Sequence, residues 1–260
     1  DQQRLAAAFI LMTLSDAHGP FGGLGKTHDW RSLGLHYIAT ADPELRKEEN
    51  REVQQQTLAS ALQLDPGNQL ARLAWQHSLW RRSTDAEELR GYQEWLKNYI
   101  SDIQDEPEMD TVRLRAAYTR TAVCLNWWSL VADDNWPYQQ KERLGQYRLA
   151  RSELVSLNTL GYGGSVNMRM KGLVRSMPKV EEGATALPGP RESNASGSSS
   201  AIYNLACWYA KTPGGYPRAV SLLKQVASVP AVKEWMPEDP MLASLRTEDV
   251  YKNEFLADPR

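Results

Sequence analysis

Trp30, Leu33, Gly34 and Tyr37 follow one another in the spacing W-x-x-L-G-x-x-Y. Steps of three and four residues put all four on one side of a helix. The glycine is the constraining member. In a helix interior it costs about 1 kcal/mol against alanine, so it needs a compensating use. The use it predicts is close approach by the next helix, against a surface where the neighbouring ring supplies bulk.

The pattern predicts a helix from Asp29 to about Ala41, broken by Ala41-Asp42-Pro43,. A second helix is expected from about Glu44 to Gln63. Leu58, Ala61 and Pro66 there give a large residue, a small one and a terminator. Asp65-Pro66-Gly67 stops that helix, and Asn68 can cap the following one.

Together these residues resemble the tetratricopeptide repeat, a helix–turn–helix unit of about 34 residues. The span from Trp30 to Pro66 is about eight residues longer than that unit. Gln54 also stands where the family has a small residue, and the turn around Asp42 to Asn50 must be extended. The resemblance returns near the C-terminus. Leu205, Ala206 and Tyr209 fit the first helix of such a unit, and Ala219, Leu223 and Val226 fit its second. The segment Glu238 to Arg246 is similar to the short piece that follows a last repeat and covers the apolar end of a stack,.

Between these stretches the chain carries helical-pair shape alone. A third helix is expected over Leu70 to Trp80. A fourth runs from about Ala86 to Ile103 after caps in Ser83-Thr84-Asp85. Asp110 opens a helix to about Val131 that is apolar nearly all round and therefore central,. Another follows from about Pro137 to Leu157. The run Ala6 to Leu14 is too short for a bilayer span of about 20 residues and reads as a buried helix. No stretch shows the alternation of a strand. Residues 161–200 are rich in Gly, Ser and Pro and read as a long loop, within which Met168 to Arg175 is basic and Met-rich. That segment is either packed down on the helices or a docking segment.

The resulting expectation is an all-α, TPR-like α-solenoid of antiparallel helix pairs with a long loop before the last repeat. The segments are an N-terminal helix and Gly-rich loop (1–28), a helical repeat-like region (29–160), the loop (161–200), and a C-terminal repeat with cap (201–260). The chain opens at Asp1, which is read as the start of a piece of a longer protein.

Composition narrows the function. The net charge is −2 and the pI about 6.2, so no basic field exists to hold nucleic acid by counterion release. Cys124 and Cys207 lie in apolar helical runs and read as buried thiols,. The sequon Asn194-Ala195-Ser196 is taken as chance. With no bilayer-spanning run, no membrane insertion is expected, and the expected compartment is cytoplasmic.

Gly22-Gly23-Leu24-Gly25-Lys26-Thr27 resembles a phosphate-cradling loop,. The first glycine of that pattern is replaced by Pro20, and a helix claimed by the repeat spacing follows at once. A loop capping the first helix is the favoured reading. The four histidines, His18, His28, His36 and His77, lack the spacing of a metal site and read as solvated or hydrogen-bonding,. Acidic clusters such as Glu87-Glu88 read as solvated charge. No catalytic residue, cofactor or metal is therefore assigned.

The resemblance implies that first helices line a concave groove. In its register the groove-facing residues are His28, Arg31, Leu35 and Ile38, then Leu73, His77, Trp80 and Arg81, then Tyr203, Cys207 and Lys211. Of these, His28, Arg31, His77, Trp80, Arg81, Tyr203 and Lys211 are the candidate partner-binding residues. Rings and bases suit a protein or peptide segment, acidic in character. The expected function is a non-enzymatic protein–protein interaction scaffold. A sensory or regulatory module of a larger signalling protein is the alternative, and a nucleotide-binding enzyme fragment comes last.

Overall fold

A computed structural model of the chain describes residues 1–18, 24–80, 82–83, 85–129, 136–159, 199–212 and 214–256. Of the loop expected at 161–200, residues 161–198, with the Met-rich segment and sequon, lie outside the described residues, and Ser199 and Ser200 already begin a helix; Arg81 and the first glycines of the 22–27 loop also lie outside them. Among the described residues all regular structure is helical and no strand occurs. Neighbouring helices pack as pairs. The chain divides into two compact units, 1–83 with 91–119, and 84–90 with 120–260.

The first unit is built from α1 (Gln2–His18), α2 (Trp30–Ala41), α3 (Arg51–Leu64), α4 (Gln69–Trp80), most of α5 (Ala86–Asp102) and the first half of α6 (Asp110–Ser129). Helices α1 and α2 pack together, as do α2 with α3 and α3 with α4, and α2 also reaches α4. Gly34 has the use its cost demanded, but the approaching helix is the preceding one. A Cβ there would lie 2.6 Å from Leu5 Cδ2 and 3.5 Å from the Ala8 Cβ. Gly34→Ala meets only the mobile end of Leu5 and regains helix propensity, so it is expected to be near neutral. Gly34→Val has no such escape and is expected to cost about 2 kcal/mol, read as a lowered urea midpoint by circular dichroism.

The turn after α2 is extended, as the residue count from Trp30 to Pro66 predicts. Asp42 Oδ1 accepts from the Glu44 amide at 2.9 Å, and Asn50 Nδ2 donates to the Glu44 carbonyl at 3.0 Å. These local bonds hold the chain out of α-helix until Arg51, with a 3-10 turn at Glu48–Asn50, so α3 starts later than the expected Glu44,. Gln54, the departure from the family pattern, is buried and donates to the Ala39 carbonyl at 2.8 Å. It ties α3 to α2 by a polar bond where a repeat would pack a small side chain. Arg51 closes the far end of α4 by donating to the carbonyls of Ser78 (3.0 Å) and Leu79, which the C-terminal end of a helix favours.

The corner between α3 and α4 is a polar knot. Asn68 Oδ1 accepts from the Ala71 amide, which makes it the cap of α4, while its Nδ2 donates to Ser32 Oγ, both at 2.9 Å. Ser32 in turn donates to the Ala61 carbonyl at 2.7 Å. All three of these side chains or groups are buried. Asp85 caps α5 as expected, accepting from the amides of Glu87 and Glu88 at 2.9 Å. Tyr92, Leu96, Tyr99 and Ile100 form the buried seam of α5, and Val112, Leu114, Ala116 and Ala117 are buried on α6.

The second unit holds the rest of α6, α7 (Trp136–Thr159), α8 (Ser199–Ala210), α9 (Tyr216–Val226), α10 (Pro230–Trp235) and two single-turn helices, α11 (Ala243–Arg246) and α12 (Asp249–Tyr251). Helices α6 and α7 are joined by Arg120–Glu153 at 2.7 Å and by Arg143 donating to the Trp127 carbonyl at 3.0 Å. Cys124 is buried and forms no disulfide, its thiol pushed up to about 12 by burial. Helices α8 and α9 form a close pair. Gly215 makes that turn feasible, since a Cβ there would stand 2.2 Å from the Tyr209 carbonyl oxygen. Leu242, Leu245 and Tyr251 of the following segment are fully buried.

Candidate functional site

In the first unit, the loop between α1 and α2 lies against the α3–α4 corner. Asp65 organises the contact. One of its oxygens accepts from the amides of His28 (2.5 Å) and Asp29 (3.3 Å), and the other from the amide of Gly67 (2.9 Å). Gly25 and Lys26 both take positive φ, at 64° and 56°. The Gly25 carbonyl accepts from the Gln69 amide at 2.9 Å, and a Cβ on Gly25 would meet Leu70 Cγ at 2.6 Å. Lysine rarely adopts this conformation. It aims Nζ at Glu106, 2.5 Å away.

These bonds define what the Gly-Lys-Thr segment does in this fold. The Thr27 hydroxyl, which would face magnesium in a nucleotide loop, is buried and donates to the Leu24 carbonyl at 2.5 Å. The lysine is ion-paired within the chain. A cleft of about 230 Å³ beside the loop is lined by residues that include Met12, Asp16, Lys26, His28 and Glu108. Among the described residues no group of three metal-ligating side chains converges.

The predicted binding residues fall in both units. In the first, His28 and Arg31 are exposed at the start of α2, and Leu35 is half-buried. Arg31 is held by Asp29, with Nη2 2.5 Å from Oδ2 and Nε 3.0 Å from Oδ1. That hydrogen bonding draws the Asp29 carboxyl below its ordinary pKa and raises the guanidinium's. On α4, His77 is exposed, with Nδ1 3.0 Å from the Tyr92 hydroxyl. Trp80 is half-buried, its ring 5.2 Å from that of Tyr92. The rings continue along α5, where Trp95 stacks on Tyr99 at 4.9 Å and the Arg72 guanidinium lies 5.8 Å from the Tyr99 centroid. Ile38 and Leu73, also placed in the groove by register, are buried. Arg81 lies outside the described residues.

In the second unit, Tyr203 and Cys207 share a face of α8 that is turned inward, and Lys211, half-buried, follows one residue past the end of the helix. Tyr203 donates to Asp239 Oδ2 at 2.7 Å, and Cys207 Sγ lies 3.6 Å from the same oxygen. Asp239 Oδ1 accepts from the Met241 amide at 2.8 Å, while Arg246 grips the Asp239 carbonyl at 2.7 Å. Burial pushes the Tyr203 phenol and Cys207 thiol up and lowers Lys211. The set holds residues 239–246 onto α8.

His36 also differs from expectation. It is buried on α2 with Nδ1 unpartnered, and burial, helped by the positive charge of Arg115, lowers its pKa to about 4. Residue type gave no sign of this, since histidine occurs both here inside α2 and, facing solvent, at His28 just before it.

Two features escaped sequence reasoning altogether. The sequence pattern gives Asp65 only the role of stopping a helix, although an acid three residues before Asn68 is well placed to accept amides. The other is the exposed side of α1. Ala8 and Met12 are buried, yet Phe9, Ile10 and Leu14 are 52%, 55% and 41% exposed. The near-absence of charge in α1 was the available signal. Trp30, 36% exposed, stands edge-on to Phe9 at 5.6 Å.

Comparison with protein-family models, curated proteins and solved structures gives no match. Among the described residues no helix is long and apolar enough to cross a membrane.

Proposed function

We infer that this chain is a non-enzymatic interaction scaffold of the TPR-like kind, in which first helices of successive pairs receive an extended, acidic partner segment. The observation that supports this most is the placement of side chains on α2 and α4. These helices alternate with α3 in consecutive packed pairs. They offer His28, Arg31 and His77 at the surface and Trp80 half-exposed beside it. Rings and guanidinium groups of that kind are the usual anchors of an interface. A partner carboxylate can exchange with Asp29 for the Arg31 fork, because the existing pair is solvent-exposed and of little net strength.

The test uses a fluorescein-labelled peptide of about ten residues rich in Glu, with a Lys-rich peptide of equal length as control. The Glu-rich peptide is expected to raise anisotropy with a Kd of about 10–100 µM and to weaken with salt. Arg31→Glu combined with His77→Glu is expected to weaken it at least about tenfold while leaving the helical circular dichroism unchanged. Equal binding of both peptides, or of parent and variant, overturns the reading.

A further inference from the structure

Ala6, Phe9, Ile10, Thr13, Leu14 and Ala17 recur at the i, i+3, i+4, i+7 spacing of one helix face, and all six are exposed. The face is opposite the one that Ala8 and Met12 bury on α2. It bears no charge. Arg4, one of two full charges in α1, is drawn away by Asp42 at 3.0 Å and Asp1 at 3.3 Å. Asp16 lines the cleft. The one hydroxyl on the face is satisfied within the helix, since Thr13 Oγ1 donates to the Phe9 carbonyl at 2.9 Å. From Ala6 to Ala17 the outward side of α1 therefore offers methyls and a ring, with the exposed Gln3 amide at its N-terminal end. A helix apolar on both sides is normally covered on both, and an exposed contiguous apolar stripe marks an interaction surface.

We propose that this face of α1 is a homodimer interface, in which α1 packs antiparallel against α1 of a second copy about a two-fold axis. The stripe is its own complement when reversed. Alanines stand at both ends, Ala6 and Ala17. The bulky Phe9 and Leu14 lie inside them, with Ile10 and Thr13 in the middle. An antiparallel pair puts Phe9 against Leu14 of the other copy, Ile10 against its Thr13, and each alanine against an alanine. The small ends let the helices close while the rings interdigitate between them. A two-fold contact needs a self-complementary patch of this form. The absence of charge leaves no like-charge repulsion to oppose pairing of identical surfaces, and antiparallel alignment opposes the two helix dipoles favourably. Trp30, edge-on to Phe9, widens the patch. The 17 residues of α1 make a seam of about 25 Å. That is small for a permanent dimer, so association in the range of tens of micromolar is expected.

Sedimentation equilibrium of the whole chain from about 1 to 300 µM is expected to show a reversible monomer–dimer equilibrium. Ile10→Glu is expected to raise the dissociation constant at least about 30-fold without changing the helical spectrum or the melting temperature, because Ile10 is more than half exposed in the single chain. A mixture of Phe9→Cys and Leu14→Cys chains is expected to cross-link on mild oxidation more than Val53→Cys, which is exposed on α3. The native thiols do not interfere, since both are buried. A monomer throughout the range, an Ile10→Glu variant that dimerises like the parent, or cross-linking no better than at Val53 would each overturn the proposal. The first of these assigns the stripe to a different partner helix.

Discussion

Asp65→Ala is expected to lower the unfolding free energy of the first unit by about 4 kcal/mol. The carboxylate accepts three amides, those of His28, Asp29 and Gly67, and is itself buried. A hydrogen bond to a charged group is worth about 1.5–3 kcal/mol, and donors left unpaired in a buried place cost more than the bond alone. Water reaching the emptied site recovers part of this, which keeps the expected loss below the sum of three bonds. Asp65→Asn should fall between, at about 2 kcal/mol, because its amide nitrogen faces a donor where the carboxylate faced it with an oxygen. Urea unfolding at pH 7 reads both. The α1–α2 loop should open before the helices melt, so hydrogen exchange at His28 and Asp29 should quicken first. Equal midpoints for the parent and the alanine variant would show that the corner is held by Asn68 and packing alone.

Lowering the pH is expected to weaken the fold through His36. Its folded pKa of about 4 lies below the ordinary histidine value of 6.5. Between those values the unfolded chain binds the proton more readily than the folded one, so stability falls as pH falls. The full contribution is present above about 6.5, is lost progressively towards about 4, and changes no further below that. The separation corresponds to about 3 kcal/mol. The groups facing the imidazole explain why its protonated form is disfavoured. Arg115 contributes positive charge, Nδ1 has no partner, and the neighbouring Tyr37 ring is 5.4 Å away. His36→Leu removes the titration and keeps an apolar side chain in the site. Its stability between pH 4.5 and 7 should change about 2 kcal/mol less than the parent's. Parallel pH profiles for the two proteins would refute this account.

Helix positions were readable because local rules act over a few residues. Asp29, Asn68 and Asp85 are caps in the structure and are cap residue types directly before periodic apolar runs. The extended turn at 42–50 followed from counting residues between Trp30 and Pro66. The direction of a helical face was less accessible. Tyr203 and Cys207 share a face, as their spacing requires, but whether that face looks out or in depends on residues 239–246, some thirty positions on. Nothing in the local pattern of α8 carries that information. The same holds for α1, whose apolar run reads as a buried helix in the sequence although Phe9, Ile10 and Leu14 are exposed in the structure.

The amino-acid order alone established an all-helical chain with paired helices, the caps at their starts, and the need for a glycine where two helices meet. Those properties arise from backbone propensity and period, which neighbouring residues decide among themselves. Only tertiary packing decided which helix fills the space at Gly34, that Asp65 gathers three amides from two segments, that Lys26 is tied to Glu106, and that Tyr203 and Cys207 of α8 face inward. Such outcomes belong to distant segments competing for the same surface, and a short window of sequence contains one side of that competition.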